Sequence, residues 1–362
     1  MEQSAVLDEK RDLPVPPVPV ETPCFVILED EVVFNLRQTA RLAGGIGRLM
    51  PHVKTHRAPW IIEMMIREGV LGFKTATPAE VEIAAEAGAR LIVWAYPTAN
   101  QANIRRVANV ARSHDGLRIE AVVDSYEGLH AWQSELASGA GNVGFRVDLD
   151  PGLGRTGVPI DEGAIALARA MAVAGHFAGW HVYDGHITDA DRAEREVKLA
   201  RLINAVRKLM ADVSAAGLST DLIAAGSYSF NIWSAEVARW VSTGSFTFSS
   251  AQHSSDLGDI GWRIAAYVLS TVVSVGRDTA TLDAGSKAVS PDIPVTSRFV
   301  GPGPIKMIKE EHAVIGTNSL RVGDYVALTP RHACTAAYLY NRALVRTTAG
   351  KWEYRTQLGA NR

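Results

Sequence analysis

Cysteine, net charge and long apolar runs are all scarce in this chain, and each shortage removes a class of protein. Cys24 and Cys334 are the whole cysteine content of 362 residues. They are too few and too far apart for a disulfide framework, which points to a reducing cytoplasm. A formal net charge of -2 offers no basic footprint for nucleic acid or for an anionic membrane. No apolar stretch reaches the roughly 18 residues of a membrane span, the nearest being 264–273. The first residues, MEQSAVLDEKRDL, are charged where a signal peptide would be apolar. No GxGxxG follows the first strand-like run, so a dinucleotide fold is not favoured. Small molecules are the partners that these absences leave.

What is present is a long alternation of helical and strand-like patterns. Prolines 14, 16, 17, 19 and 23 make residues 1–22 an extended arm rather than a helix. Helices are expected at 33–43, 59–68, 78–87 and 231–240. Strands are expected at 48–55, 72–75, 91–96, 118–124, 143–148, 178–183, 222–225 and 245–249. Eight strands with intervening helices suit a (β/α)8 TIM-type barrel over 23–261. Beyond residue 262 the alternation stops, and short runs at 268–275, 279–282, 325–328, 336–340 and 344–348 suit a smaller β domain over 262–362.

Reactive side chains cluster at the ends of the expected barrel strands, where barrel active sites are built. In PHVKTHR, Lys54 stands among His52, His56 and Arg57, and crowded cations favour the neutral amine that attacks a carbonyl. The same words also suit a basic turn before a helix. Asp124 ends another strand. In DLDPGLGRTG, Arg155 sits on a glycine-rich loop, either beside a ligand or as a structural arginine in a tight connection. HVYDGH ends the sixth strand with His181 and Tyr183 on one side, and His186 follows. Gly226, Ser227 and Tyr228 precede an expected helix start, which suits a phosphate or an ordinary cap. His332 and Cys334 would share one side of a strand, as metal ligands or as a buried thiol near a chance histidine. LDAGSK at 282–287 reads as a structural turn or as part of a site entrance, and Thr75 and Thr77 follow the second strand.

Taken together, PHVKTHR, DPGLGRTG, HVYDGH and RHACTA resemble, in order, the motifs of the D-threonine aldolase and D-serine dehydratase family, within the alanine-racemase-like enzymes. The resemblance runs from about residue 22 to 345 and implies a homodimer with pyridoxal phosphate bound to Lys54. It places Arg155 near the cofactor ring, Tyr183 and His186 beside cofactor and substrate, and the phosphate at Gly226, Ser227 and Tyr228. Tyr228 departs from the family's glycine- or threonine-rich turn. Thr77 is a cofactor contact by position alone. His332 and Cys334 would hold a divalent ion (Mn, Mg or Zn). HVYDGH looks more like the aldolase branch, which cleaves D-β-hydroxy amino acids such as D-threonine, D-phenylserine or D-3-hydroxyaspartate to glycine and an aldehyde or glyoxylate. A D-serine or 3-hydroxyaspartate dehydratase is the alternative. A non-catalytic pyridoxal-phosphate-binding homeostasis protein is disfavoured by the second domain.

Overall fold

The computed structural model describes residues 13–137, 139 and 142–362. Two compact units divide the chain. One comprises residues 40–54 and 59–244, the other residues up to 39 with 55–58 and 245–361.

In the first unit seven parallel strands pair in chain order. They are Phe73–Thr75, Leu91–Trp94, Arg118–Val123, Val143–Leu149, Phe177–Val182, Leu222–Ala224 and Trp240–Val241. Helices fill the connections, and Thr77, Asn100, Ser125, Asp161 and Asp191 each accept a backbone N–H at a helix start. Residues 49–52 close the ring. Met50 N donates to Val241 O at 3.0 Å and His52 N to Thr243 O at 3.1 Å, while Lys74 N donates to Pro51 O at 2.8 Å. This segment takes the eighth place in the barrel without being a regular strand. Pro51 has no N–H to donate, and the chain then tightens into a 3-10 turn at Val53–Thr55.

The last strand departs from expectation. Residues 245–249 are not a strand but contain a 3-10 turn at Ser245–Thr247, and strand Trp240–Val241 forms earlier. The helix expected at 231–240 is replaced by successive turns. Trp233 pins this course, because its buried indole N–H reaches Asp184 Oδ2 at 2.9 Å.

The second unit is built on a mixed sheet. Strand Cys24–Leu28 pairs parallel with Arg342–Arg346 and antiparallel with Ala266–Val275. Residues 24–28 therefore belong with this sheet, although the sequence pattern starts the barrel at residue 23. Thr279–Leu282 and Tyr325–Pro330 extend the same unit. The strand expected at 336–340 does not form; Ala333–Ala337 is a short helix, the choice of a short alanine-rich run whose period is ambiguous. Of the proline arm, residues 1–12 lie outside the described residues. Residues 13–22 form neither helix nor strand, and Leu13 and Val20 pack on the cluster of Val26, Tyr267 and Leu344.

Candidate active site

Tyr183, just past strand Phe177–Val182, is the side chain around which the barrel gathers its charges. Lys54 Nζ lies 5.8 Å from its ring centre, Lys74 Nζ 5.4 Å and the Arg155 guanidinium carbon 4.9 Å. Each is close enough for attraction by the ring face. The ring rests against two glycines. A Cβ at Gly185 would come within 2.3 Å of ring carbons, and one at Gly226 within 3.0 Å.

Lys54 is exposed on its 3-10 turn, and its own N–H donates to His52 Nδ1 at 3.3 Å. The crowding expected from its sequence neighbours is not what forms. Burial holds His56 at about 3, so its ring is uncharged. Arg57 donates to the carbonyls of Gly359 and Asn361. The cations that share a ring with Lys54 are instead Lys74 and Arg155, brought from distant strands.

The Arg155 loop is held by carboxylates. Asp150 Oδ1 accepts from Gly152 N at 2.9 Å and Gly154 N at 3.1 Å, and Asp124 Oδ2 accepts from Gly157 N at 3.1 Å. Gly157 has φ 104 and no room for a Cβ, which would sit 2.6 Å from Asp150 N.

Lys74 carried no motif and was missed from the sequence; the available signal was a lysine inside an otherwise strand-like run. It is 4% exposed, and its Nζ lies 3.3 Å from His181 Nε2. His181 Nδ1 in turn lies 2.6 Å from Asp148 Oδ1, and Thr156 Oγ1 donates to Asp148 Oδ2 at 2.9 Å. Asp148 and His181 are register partners on adjacent strands, so both side chains emerge on one face. Burial, followed by the charge of Lys54, lowers Lys74 to about 7, against the opposing pull of Asp148. Burial also lowers His181 below the usual imidazole range.

Gly226 N donates to Ser229 Oγ at 2.9 Å, and Ser227 Oγ meets Thr243 Oγ1 at 2.9 Å. Ser229 Oγ and the Trp233 indole both donate to buried Asp184, which burial nevertheless pushes above the usual carboxyl range. The expected helix start is absent here, so Gly226, Ser227 and Tyr228 form a turn that keeps hydroxyls together. Thr77 caps helix Pro78–Glu86, its Oγ1 accepting from Glu80 N at 3.3 Å. His186 is exposed, and its ring makes no hydrogen bond among the described residues.

In the other unit His332 lies at the start of helix Ala333–Ala337, not in a strand. Its Nδ1 meets Asp292 Oδ2 at 2.6 Å, and Cys334 Sγ lies 3.4 Å from Thr55 Oγ1. Burial alone would lower His332; the Cys334 sulfur and the Asp292 carboxylate outweigh it and raise the ring to about 9. The two sequence-predicted ligands are thus neighbours. Among the described residues, no group of three or more His, Cys, Asp or Glu side chains is placed to hold a metal. None of the described helices is long and apolar enough to cross a membrane.

Comparison with known proteins agrees with this architecture. The pattern of the alanine racemase N-terminal domain matches residues 27–251, and that of a putative serine dehydratase domain matches residues 265–346. A 3-hydroxy-D-aspartate aldolase of Paracoccus denitrificans is 27% identical over 335 residues, 86% of this chain and 85% of that protein. A D-threonine aldolase of an Arthrobacter species is 26% identical over 344 residues, 90% of this chain and 89% of the relative. Among solved structures, D-threonine aldolase from Filomicrobium marinum superposes with a TM-score of 0.84 at 23% identity, covering 94% of this chain and 95% of that one. D-threo-3-hydroxyaspartate dehydratase from Delftia sp. HT23 gives 0.78 at 19% identity, covering 94% and 98%.

Proposed function

The chain belongs to the family of the alanine racemase N-terminal domain, and from that premise we propose that it is a pyridoxal-phosphate- and divalent-metal-dependent aldolase. Its substrates are D-β-hydroxy amino acids of the D-threonine, D-phenylserine or D-3-hydroxyaspartate type, and its products are glycine with an aldehyde or glyoxylate. The observation that carries the reading is the meeting of Lys54 and Arg155 on one tyrosine ring. Cations about an aromatic ring, beside a turn whose Ser227 hydroxyl meets that of Thr243, fit an anionic, ring-bearing cofactor.

Bound pyridoxal phosphate supplies an electron sink for the bond broken at Cα. Lys54 would be the amine that holds the cofactor, and Gly226, Ser227 and Tyr228 would receive its phosphate. Arg155 would stand near the cofactor ring and leave its pyridine nitrogen unprotonated, because a guanidinium does not surrender its proton. Tyr183 orients the group by its ring. His186 is the candidate base for the β-hydroxyl proton, and Thr77 contributes through the helix it caps. His332 and Cys334 would hold the divalent ion, leaving positions open for water and substrate. Asp292 at Nδ1 leaves Nε2 of His332 as the nitrogen that would face the ion. We place the enzyme in the cytoplasm as a homodimer.

A product assay tests this. Protein supplied with pyridoxal phosphate and Mn, Mg or Zn is offered D-threonine, D-serine and D-3-hydroxyaspartate, each beside its L form. Glycine plus an aldehyde or glyoxylate from a D substrate is expected. Keto acid with ammonia would instead favour dehydration, a second reading supported by the match at residues 265–346. Lys54→Ala should lose the absorbance of lysine-bound cofactor.

A further inference from the structure

Lys74 is a buried amine that the proposed chemistry leaves unused. Its Nζ faces the same Tyr183 ring as Lys54 and Arg155. The Asp148 carboxylate accepts from His181 Nδ1, which leaves Nε2 with a lone pair. Lys74 must therefore donate one N–H to Nε2, at 3.3 Å. A neutral Lys74 held in this way has its own lone pair free to turn elsewhere. We propose that Lys74, oriented by His181 and Asp148, is a proton-transfer residue of this site, taking a proton from the ammonium group of the incoming amino acid.

In that step the substrate N–H bond breaks and its electron pair stays on the substrate nitrogen. A new Nζ–H bond forms, and one positive charge passes from substrate to Lys74. The nitrogen is then able to displace Lys54; the inference rests on Lys54 as the cofactor lysine. Lys74 is fitted to the task because its charge changes near neutrality, at about 7. The groups that set this come from each neighbouring element. Lys54 belongs to the 3-10 turn and Arg155 to the glycine-rich loop, and both oppose the ammonium. Asp148 and Asp184 favour it. His181, Tyr183 and the bridged segment of His52 complete the surroundings.

The test uses pyridoxal-phosphate-loaded native protein, Lys74→Met, Lys74→Arg and Asp148→Asn. Cofactor absorbance and initial rates are recorded from pH 5.5 to 9.5, with kcat and KM separated. Native kcat should rise with pH through a midpoint near 7. Lys74→Met should lose that limb and fall on the order of 100-fold in kcat, with KM changed far less. Lys74→Arg, a cation that cannot accept a proton, should fall equally. Asp148→Asn removes a charge that favours ammonium, so its midpoint should move to lower pH; should Lys74→Met fail to fold, this shift decides. A Lys54-dependent absorbance band together with native kinetics in Lys74→Met or Lys74→Arg overturns the inference alone. A native protein with no Lys54-dependent band overturns both it and the proposed function.

Discussion

Replacing Gly185 by alanine asks whether the position of the Tyr183 ring organises the site. The new Cβ would lie 2.3 Å from Tyr183 Cε1 and Cζ, roughly an ångström inside ordinary carbon contact. Tyr183 is half-buried and turns about its own side-chain bonds, so the ring yields before the backbone does. The expected stability cost is therefore small, about 1 kcal/mol or less. The functional cost is expected to be larger. A shift of about 1 Å in a positioning group is worth on the order of 100-fold in rate, and this ring is shared by Lys54, Lys74 and Arg155. The assay is kcat/KM on D-threonine and D-3-hydroxyaspartate, with the thermal midpoint and cofactor absorbance recorded beside it. Gly47→Ala, where nothing lies within 4 Å of the added Cβ, is the silent control. Native kcat/KM in Gly185→Ala would refute the organising role of the ring. A collapsed thermal midpoint would refute the claim that the ring absorbs the strain.

Four further outcomes are expected. Glu120 accepts from buried Arg146 Nε at 2.6 Å, and Arg146 also pairs with Asp221 at 2.8 Å, so Glu120→Gln should cost about 2 kcal/mol in urea unfolding, the loss of one charged hydrogen bond; a loss below about 0.5 would show the pair to be dispensable. His56 stays neutral down to about 3 in the folded protein, whereas an unfolded histidine takes a proton near 6.5. The unfolded state thus binds more protons between these values, and stability falls as pH drops through that window; His56→Asn should flatten this acid limb, and an unchanged limb would contradict it. Lys74 is also bound to fewer protons when folded, between about 7 and the ordinary lysine range near 10.5. Its burial therefore penalises folding fully below 7 and less as pH rises, so Lys74→Met should gain a few kcal/mol, on the order expected for a buried charge, at pH 6 and much less at pH 10. Cys334→Ser should weaken the metal dependence of turnover while leaving cofactor absorbance intact, and equal metal dependence would remove the assignment.

The motifs legible in the sequence were those whose chemistry lies within a few consecutive residues. PHVKTHR marks a basic turn, and glycines 152, 154 and 157 announce a loop, because each depends on local geometry. Capping residues such as Asn100 and Asp161 likewise follow from backbone groups one turn away. The run at 333–337 was harder, since five small residues carry no usable period, and the strand at 240–241 was hidden behind a helical pattern that buried Trp233 overrides.

The alternation of strand and helix, the placement of Arg155 and Tyr183 beyond strand ends, and the adjacency of His332 and Cys334 were determined by the sequence itself, since each needs only pattern or near neighbours. The tertiary structure alone decided that Lys74, Asp148 and His181 form one buried line, and that residues 49–52 rather than a full strand close the barrel. It also decided that Lys54 shares a ring with Lys74 and Arg155 rather than being crowded by its chain neighbours. The physical reason is separation along the chain: the charges that tune one another here come from different strands, and only closure of the barrel brings them within reach.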